Sequence, residues 1–393
     1  MRITGRWSMK KRKLYGKKNL TVPAFVAALL MSACGGMVGL AAAAGTAEPA
    51  GLSTAADDAG QTEVASEDRK SADIIEMPFA QAADDGPVIG IAWREDTDSE
   101  FYTNIVSAVE EAGGVTVLLD QVMAREIAYD EDGHVAAEAV DENGYLTQEA
   151  ADMLKEGSWQ QSNAEDILGE ITAVIFTGGE DISPTLYAVP QAWHGIEAEK
   201  DYNATRDVSD YLLMRYCIDE DVTVMGFCRG MQMLCTVSGG TVIQDIPTWF
   251  EEQGLDYDYE HRNEVTAGEY RDYAPHDVEV AEGSILWDIV GTAVLHDVPS
   301  WHHQAVGSVD GTELALTGTA TVSGIEMIEA VERKDKTCIV GFQFHPEAAV
   351  VKHLEGAANS GDFMDADTAL GFFTYLVEQA EINEAGQEVA TAA

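Results

Sequence analysis

Positive charge is what this chain has least of. Its 393 residues hold 23 Lys+Arg against 69 Asp+Glu, a formal net charge of −46 at pH 7. Such an excess repels phosphates and excludes nucleic acid as a partner. It also disfavours long polyanionic substrates, unless Arg94, Arg206 or Arg229 lines a local basic pocket. Cysteine is scarce too: Cys34, Cys217, Cys228, Cys235 and Cys338, with no pair at the two-residue gap of zinc or redox motifs. Their spacing gives no argument for a disulfide, and no metal-ligand cluster is visible. The apolar stretch "TVPAFVAALLMSA" runs for thirteen residues. That falls short of the ~20 apolar residues a membrane-spanning helix needs.

What basic charge there is collects at the start. Residues 1–20 hold eight basic residues and no acid. A basic start, a short apolar stretch and small residues after it read as a secretory signal. Cys34 in "LLMSACGG" closes that stretch. The arrangement resembles a bacterial lipoprotein signal, which implies residues 1–33 as signal, lipid on the Cys34 thiol, and anchoring on the outer face of the cytoplasmic membrane; the alternative is an ordinary signal peptide cut later, near "AAAAG". Residues 34–85 are rich in Ala, Gly, Ser, Thr and acids and poor in large apolar side chains, so they read as a disordered acidic tether.

The pattern changes at residue 86. Short apolar runs, "PVIGIAW", "VTVLL", "ITAVIFTGG" and "VTVMGF", alternate with helical stretches such as "EFYTNIVSAVEEAGG" and "RDVSDYLLMRYCIDE". Continuous apolar runs between helices suggest buried parallel strands. The expected fold is α/β: an open, mostly parallel sheet with helices on both faces. "GTELALTGTA", "GIEMIEAVER" and "TCIVGFQFHPE" add strands, some of them candidates for antiparallel pairing. The domain is expected over 86–385, with a flexible tail at 386–393. An acidic, turn-rich stretch at about 121–168 is long for a connection in such a fold and reads as a surface insertion, with a lid as the alternative.

"VTVMGFCRGMQMLCTVSGG" carries the chemistry. Cys228 lies at a strand-to-helix junction, framed by Gly226 and Gly230. Gly-x-Cys-x-Gly is the thiol counterpart of the serine elbow. A nucleophile there turns through strained backbone angles, so its neighbours have no room for a Cβ. The helix N-terminus beneath it favours the thiolate. Cys217, Cys235 and Cys338 have no such frame and read as structural. A base is offered by "GFQFHPE", where His345 and Glu347 stand two apart on what reads as an extended strand end, the carboxylate orienting the imidazole. His134, His194 and His296 have no matching context.

Together, "FTGGEDISPTLY", the Cys228 stretch, "PSWHHQAV", "MIEAVE" and "GFQFHPE" resemble the class I glutamine amidotransferase-like superfamily, with its flavodoxin-like core. More narrowly they resemble its gamma-glutamyl-GABA hydrolase and gamma-glutamyl hydrolase branch. The resemblance implies a Cys228–His345–Glu347 triad and an oxyanion hole from the backbone N–H groups of Gly179 and Arg229. It implies substrate contacts from Gln232, His302, His303 and Gln304. Glu180 and Pro299 depart from the family's usual residues. The expected activity is cysteine-dependent hydrolysis of small gamma-glutamyl amides through a thioester, without cofactor. The identity of the amine and the oligomeric state stay open, a homodimer included. A glutaminase subunit serving a synthase and a catalytically dead tethered binding protein are the alternatives. Export argues against the first, the intact Cys-His-Glu set against the second.

Overall fold

The computed structural model describes residues 86–169, 171–258, 261–264 and 271–392. Cys34, the signal segment and the whole of the tether lie outside them. Among the described residues one sheet holds eleven strands: β1 (Val88–Ile91), β2 (Val115–Leu118), β3 (Ala173–Phe176), β4 (Thr223–Phe227), β5 (Thr241–Ile243), β6 (Ala274–Val280), β7 (Val294–Ser300), β8 (Ala305–Ser308), β9 (Leu314–Val322), β10 (Ile325–Arg333) and β11 (Ile339–Phe342). The helices are α1 (Glu100–Glu111), α2 (Gln148–Glu156), α3 (Ala164–Leu168), α4 (Ala204–Asp219), α5 (Arg229–Ser238), α6 (Ile246–Glu252), α7 (Ile285–Val290), α8 (Pro346–Leu354) and α9 (Ala366–Ala392).

The sheet runs β2-β1-β3-β4-β11-β10-β9-β6-β7, with β8 paired to β10 and β5. From β2 to β11 every pairing is parallel. Beyond β11 every pairing is antiparallel. The sheet is therefore mixed: a parallel doubly wound core, as the apolar runs predict, with an antiparallel extension built from the later strands.

Burial on both faces explains the uninterrupted apolar runs. In β3, Val174 and Phe176 enter the core under α4 and α5, while Ala173 and Ile175 enter the opposite core with α1, α8 and α9. Phe176, Phe227 and Phe342 are all fully buried; truncating a phenylalanine so placed costs ~3–5 kcal/mol.

Residues 121–168, read as a surface insertion, carry helices of their own, α2 and α3, and are packed down and not a free lid. Val122, Ile127, Leu146, Leu154, Trp159 and Leu168 pack into the same core as α4. Polar bonds fix the segment further: Trp159 Nε1 donates to Asp219 at 2.7 Å, and Arg215 Nη1 donates to the carbonyls of Leu154 and Gly157 at 2.9 and 2.8 Å. The acids face outward and conceal this apolar set from a reading of composition. At the other end, residues 386–392 continue α9 and form no separate tail.

Candidate active site

β3, β4 and β11 are neighbours in the sheet, and the loops leaving their C-terminal ends meet at one edge, where ligands bind in doubly wound folds. Residues more than a hundred positions apart in sequence converge here because the register sets Phe176 beside Gly226 and Phe342 beside Phe227.

Cys228 immediately follows β4 and caps α5 with φ 49° and ψ −105°, a left-handed setting that costs a non-glycine residue energy. Its N–H donates to the Phe342 carbonyl at 2.7 Å, which holds the corner. The glycine frame is required by space. A Cβ at Gly226 would lie 2.7 Å from the Gly230 carbonyl carbon, and one at Gly230 would lie 2.3 Å from the Phe176 carbonyl oxygen. The Arg229 amide is the first of α5 and has no partner within its own helix. Gly179 adopts φ 137°.

His345 leaves β11 and caps α8, with Pro346 in the first turn. His-Pro-Glu is thus a strand-to-helix corner and not the extended strand end expected from sequence; proline is favoured at the start of a helix because its missing N–H is needed there by no one. The corner still brings His345 Nδ1 and Glu347 Oε1 to 2.6 Å, both side chains fully buried. The His345 backbone N–H donates to the Pro299 backbone carbonyl at 2.8 Å, which ties this corner to the end of β7. The rings of Phe101 and Tyr273 flank it at 5.2 and 5.5 Å between centroids. Burial disfavours the charged ring, but Glu347 and the adjacent Cys228 outweigh it and push the imidazole up to about 10.

Cys228 and His345 face each other across Gly178. A Cβ on that glycine would sit 2.8 Å from His345 Cε1 and 3.6 Å from Cys228 Cβ. The thiol is close enough to act on the ring's protonation, yet Nε2 makes no well-formed hydrogen bond. Catalytic pairs are commonly loose before substrate arrives. The arrangement is chemically able to transfer an acyl group to sulfur.

Cys228 opens onto a cleft of ≈ 360 Å³. Gly179, Gln232, His302, His303 and Gln304, all singled out from sequence, line it. Gln232 Nε2 donates to the Gln304 carbonyl at 3.3 Å, tying the α5 face to the histidine loop. His303 is held between Asp181 and Asp245 at 3.0 and 3.1 Å. Burial lowers its proton affinity, but those two hydrogen bonds outweigh it and raise the ring to about 9. His302 lines the cleft as expected of a substrate contact, but its ring nitrogens are turned to other partners. Nδ1 bonds the Gln304 carbonyl at 2.8 Å and Nε2 turns toward Glu329.

Of the arginines considered, Arg94 lines the cleft. Arg206 and Arg229 do not; their side chains are buried against Glu180, Asp207 and Asp210. Burial opposes charge on Glu180, but Arg206 and Arg229 outweigh it and hold its carboxyl at about 2. Sequence reasoning passed over Phe101, Trp301 and Arg262, which also line the cleft. Cys217, Cys235 and Cys338 are buried free thiols, as expected. Burial pushes Cys235 and Cys338 up to about 12. His134, His194 and His296 are solvent-facing partners of nearby acids.

One grouping was missed altogether. His261, His276, His302 and Glu329 are all buried, and their ligand-type atoms lie within 4.8 Å of one another. The expectation of no metal-ligand cluster fails here, because four residues from distant segments meet only in the fold. Burial holds His261 and His276 at about 4, His302 well below its usual range, and Glu329 up at about 7.

A solved glutamine amidotransferase from Thermotoga maritima aligns at TM-score 0.36 and 15% identity, over 76% of this chain and 96% of that one. The peptidase C26 family matches residues 153–347. Protein NtpR of Enterococcus hirae is 30% identical over 218 residues, 55% of this chain and 78% of that protein. Gamma-glutamyl-gamma-aminobutyrate hydrolase PuuD of Escherichia coli K12 is 25% identical over 190 residues, 48% of this chain and 68% of that protein. The chain belongs to the class I glutamine amidotransferase-like superfamily, its match within it being the peptidase C26 family.

Proposed function

We propose that the protein is a cysteine hydrolase of small gamma-glutamyl amides, and that Cys228, His345 and Glu347 are its catalytic residues. The coarser activity, hydrolase or amidotransferase in type, follows from the family. The observation that carries the finer reading is the strained Cys228 corner facing a buried His345–Glu347 pair across one glycine.

The Cys228 sulfur attacks the gamma-carbonyl carbon of the substrate, and the carbonyl electron pair moves onto oxygen. The N–H groups of Gly179 and Arg229 are assigned to that oxyanion; one such donor is worth ~2.7–4 kcal/mol in comparable sites. Collapse breaks the C–N bond. His345 gives its proton to the departing amine, and Glu347 steadies the ring. Water then loses a proton to His345 and attacks the thioester carbon, which frees glutamate and returns the thiolate. Arg94 and Arg262 are candidates for the glutamyl α-carboxylate, and the acids of the cleft for its ammonium group.

The test is release of free amine from a panel of gamma-glutamyl amides by the wild-type chain and by Cys228→Ser. The expected result is turnover by the wild type and a loss of at least ~10³-fold in the variant. Binding without turnover by the wild type would favour the dead-site reading. Turnover that needs an added acceptor enzyme would favour a glutaminase.

A further inference from the structure

We propose that His261, His276, His302 and Glu329 form a binding site for a zinc-type divalent cation behind the wall of the cleft. The site is separate from the hydrolytic chemistry and stands or falls independently of it.

The backbone aims these side chains at one point. Glu329 falls at an irregularity in the β9–β10 pairing, between Ile328 and Ala330, and His276 borders another in the β6–β7 pairing. Bulges of this kind re-aim a side chain out of the regular alternation. A carboxylate in the midst of the apolar "MIEAV" strand has otherwise no reason to be buried. His302 comes from the loop after β7, and His261 from the described residues 261–264.

Outer partners fix the imidazoles for ligation. His302 Nδ1 bonds the Gln304 carbonyl at 2.8 Å, and His276 Nδ1 the Asp277 carbonyl at 3.2 Å. A carbonyl only accepts, so both rings carry hydrogen on Nδ1 and present the lone pair of Nε2. His261 Nδ1 lies 3.4 Å from the Tyr257 hydroxyl. An outer hydrogen bond on the far nitrogen is the usual support of a metal-binding histidine.

Most of the inward atoms lack hydrogen-bond partners. His261 Nε2, His302 Nε2 and both Glu329 oxygens make no hydrogen bond, although all are buried. A buried polar atom left without a hydrogen bond is costly to keep. From Glu329 Oε1 the Nε2 atoms of His261 and His302 stand at 3.2 and 4.0 Å, and from Oε2 that of His276 stands at 3.7 Å. Tetrahedral ligands at ~2.0–2.1 Å from zinc would be roughly 3.4 Å apart; the four ligand atoms, within 4.8 Å of one another, would draw inward to close the shell. His276 Nε2 also lies 2.7 Å from the Ser300 hydroxyl, a bond that the cation would replace. Three imidazoles and one carboxylate suit zinc and its borderline neighbours better than calcium or magnesium. Four protein ligands leave no open position, the mark of a structural site. Such an ion would fasten the 301–304 wall of the cleft to the sheet.

The full chain, stripped with a chelator and reloaded with Zn²⁺, tests this by metal content after gel filtration. One zinc per chain is expected, with a rise in melting temperature. The metal is expected to be lost from Glu329→Gln and His276→Gln and retained by Cys228→Ser. Because either cluster variant can fail to fold, Co²⁺ loading of the wild type gives a second readout: visible bands of a tetrahedral centre without thiolate-to-cobalt charge transfer. A wild type that retains no metal, a thiolate band that places the ion on Cys228, or full retention in both cluster variants overturns the proposal.

Discussion

At the scale of single residues, charge in this site is set by close partners. His303, between Asp181 and Asp245, carries a proton affinity raised to about 9, whereas a free imidazole titrates near ~6.5. The folded state therefore holds the extra proton, and the stability this adds is complete below ~6.5 and lost as pH rises through about 9. The contribution is on the order of 3 kcal/mol. Chemical denaturation of the wild type and His303→Asn across that window should show the wild type alone losing this increment; parallel profiles would contradict it. Cys228, His345 and Glu347 were legible because each lies within a short motif whose spacing carries its own physical reason. His261, His276 and Glu329 were not. They share no motif, and two of them are aimed by pairing irregularities that no alternation pattern announces.

At the scale of elements, glycine marks where backbone touches backbone. Gly230→Ala would press a Cβ to 2.3 Å from the Phe176 carbonyl oxygen, a neighbour that cannot turn aside. A loss of about 3 kcal/mol is expected, with a fall in activity as α5 is forced off β3. Gly371, inside α9, is the contrast. A Cβ there meets only atoms of Ile289 at 3.8 Å, so Gly371→Ala should stabilise by ~0.5–1 kcal/mol. Denaturant midpoints of the two variants check both signs; equal shifts would refute the packing argument. The strands of the parallel core could be read from continuous apolar runs. How firmly the insertion at 121–168 is held is not legible in its composition, because its acids are exposed while six separated apolar residues share one core with α4.

At the scale of the whole molecule, a formal charge of −46 bears on substrate choice. Gamma-linked oligoglutamate should be a poorer substrate than a single gamma-glutamyl amide of a neutral amine. The gap should narrow as salt rises and shortens the reach of repulsion, which is ~10 Å at 0.1 M. kcat/KM for both substrates from low to high ionic strength checks this; a gap that widens with salt, or a preference for the oligomer at low salt, would contradict it. No helix among the described residues is long and apolar enough to cross a membrane.

The central claim is that a glutamyl group passes through the sulfur of Cys228. Acid-quenching the wild-type chain during turnover of a gamma-glutamyl amide, followed by peptide mapping by mass spectrometry, tests it most directly. The account predicts a glutamyl addition on the peptide bearing Cys228, absent from Cys228→Ser. Continued turnover by Cys228→Ser, or an acyl group mapped to any other residue, would contradict it.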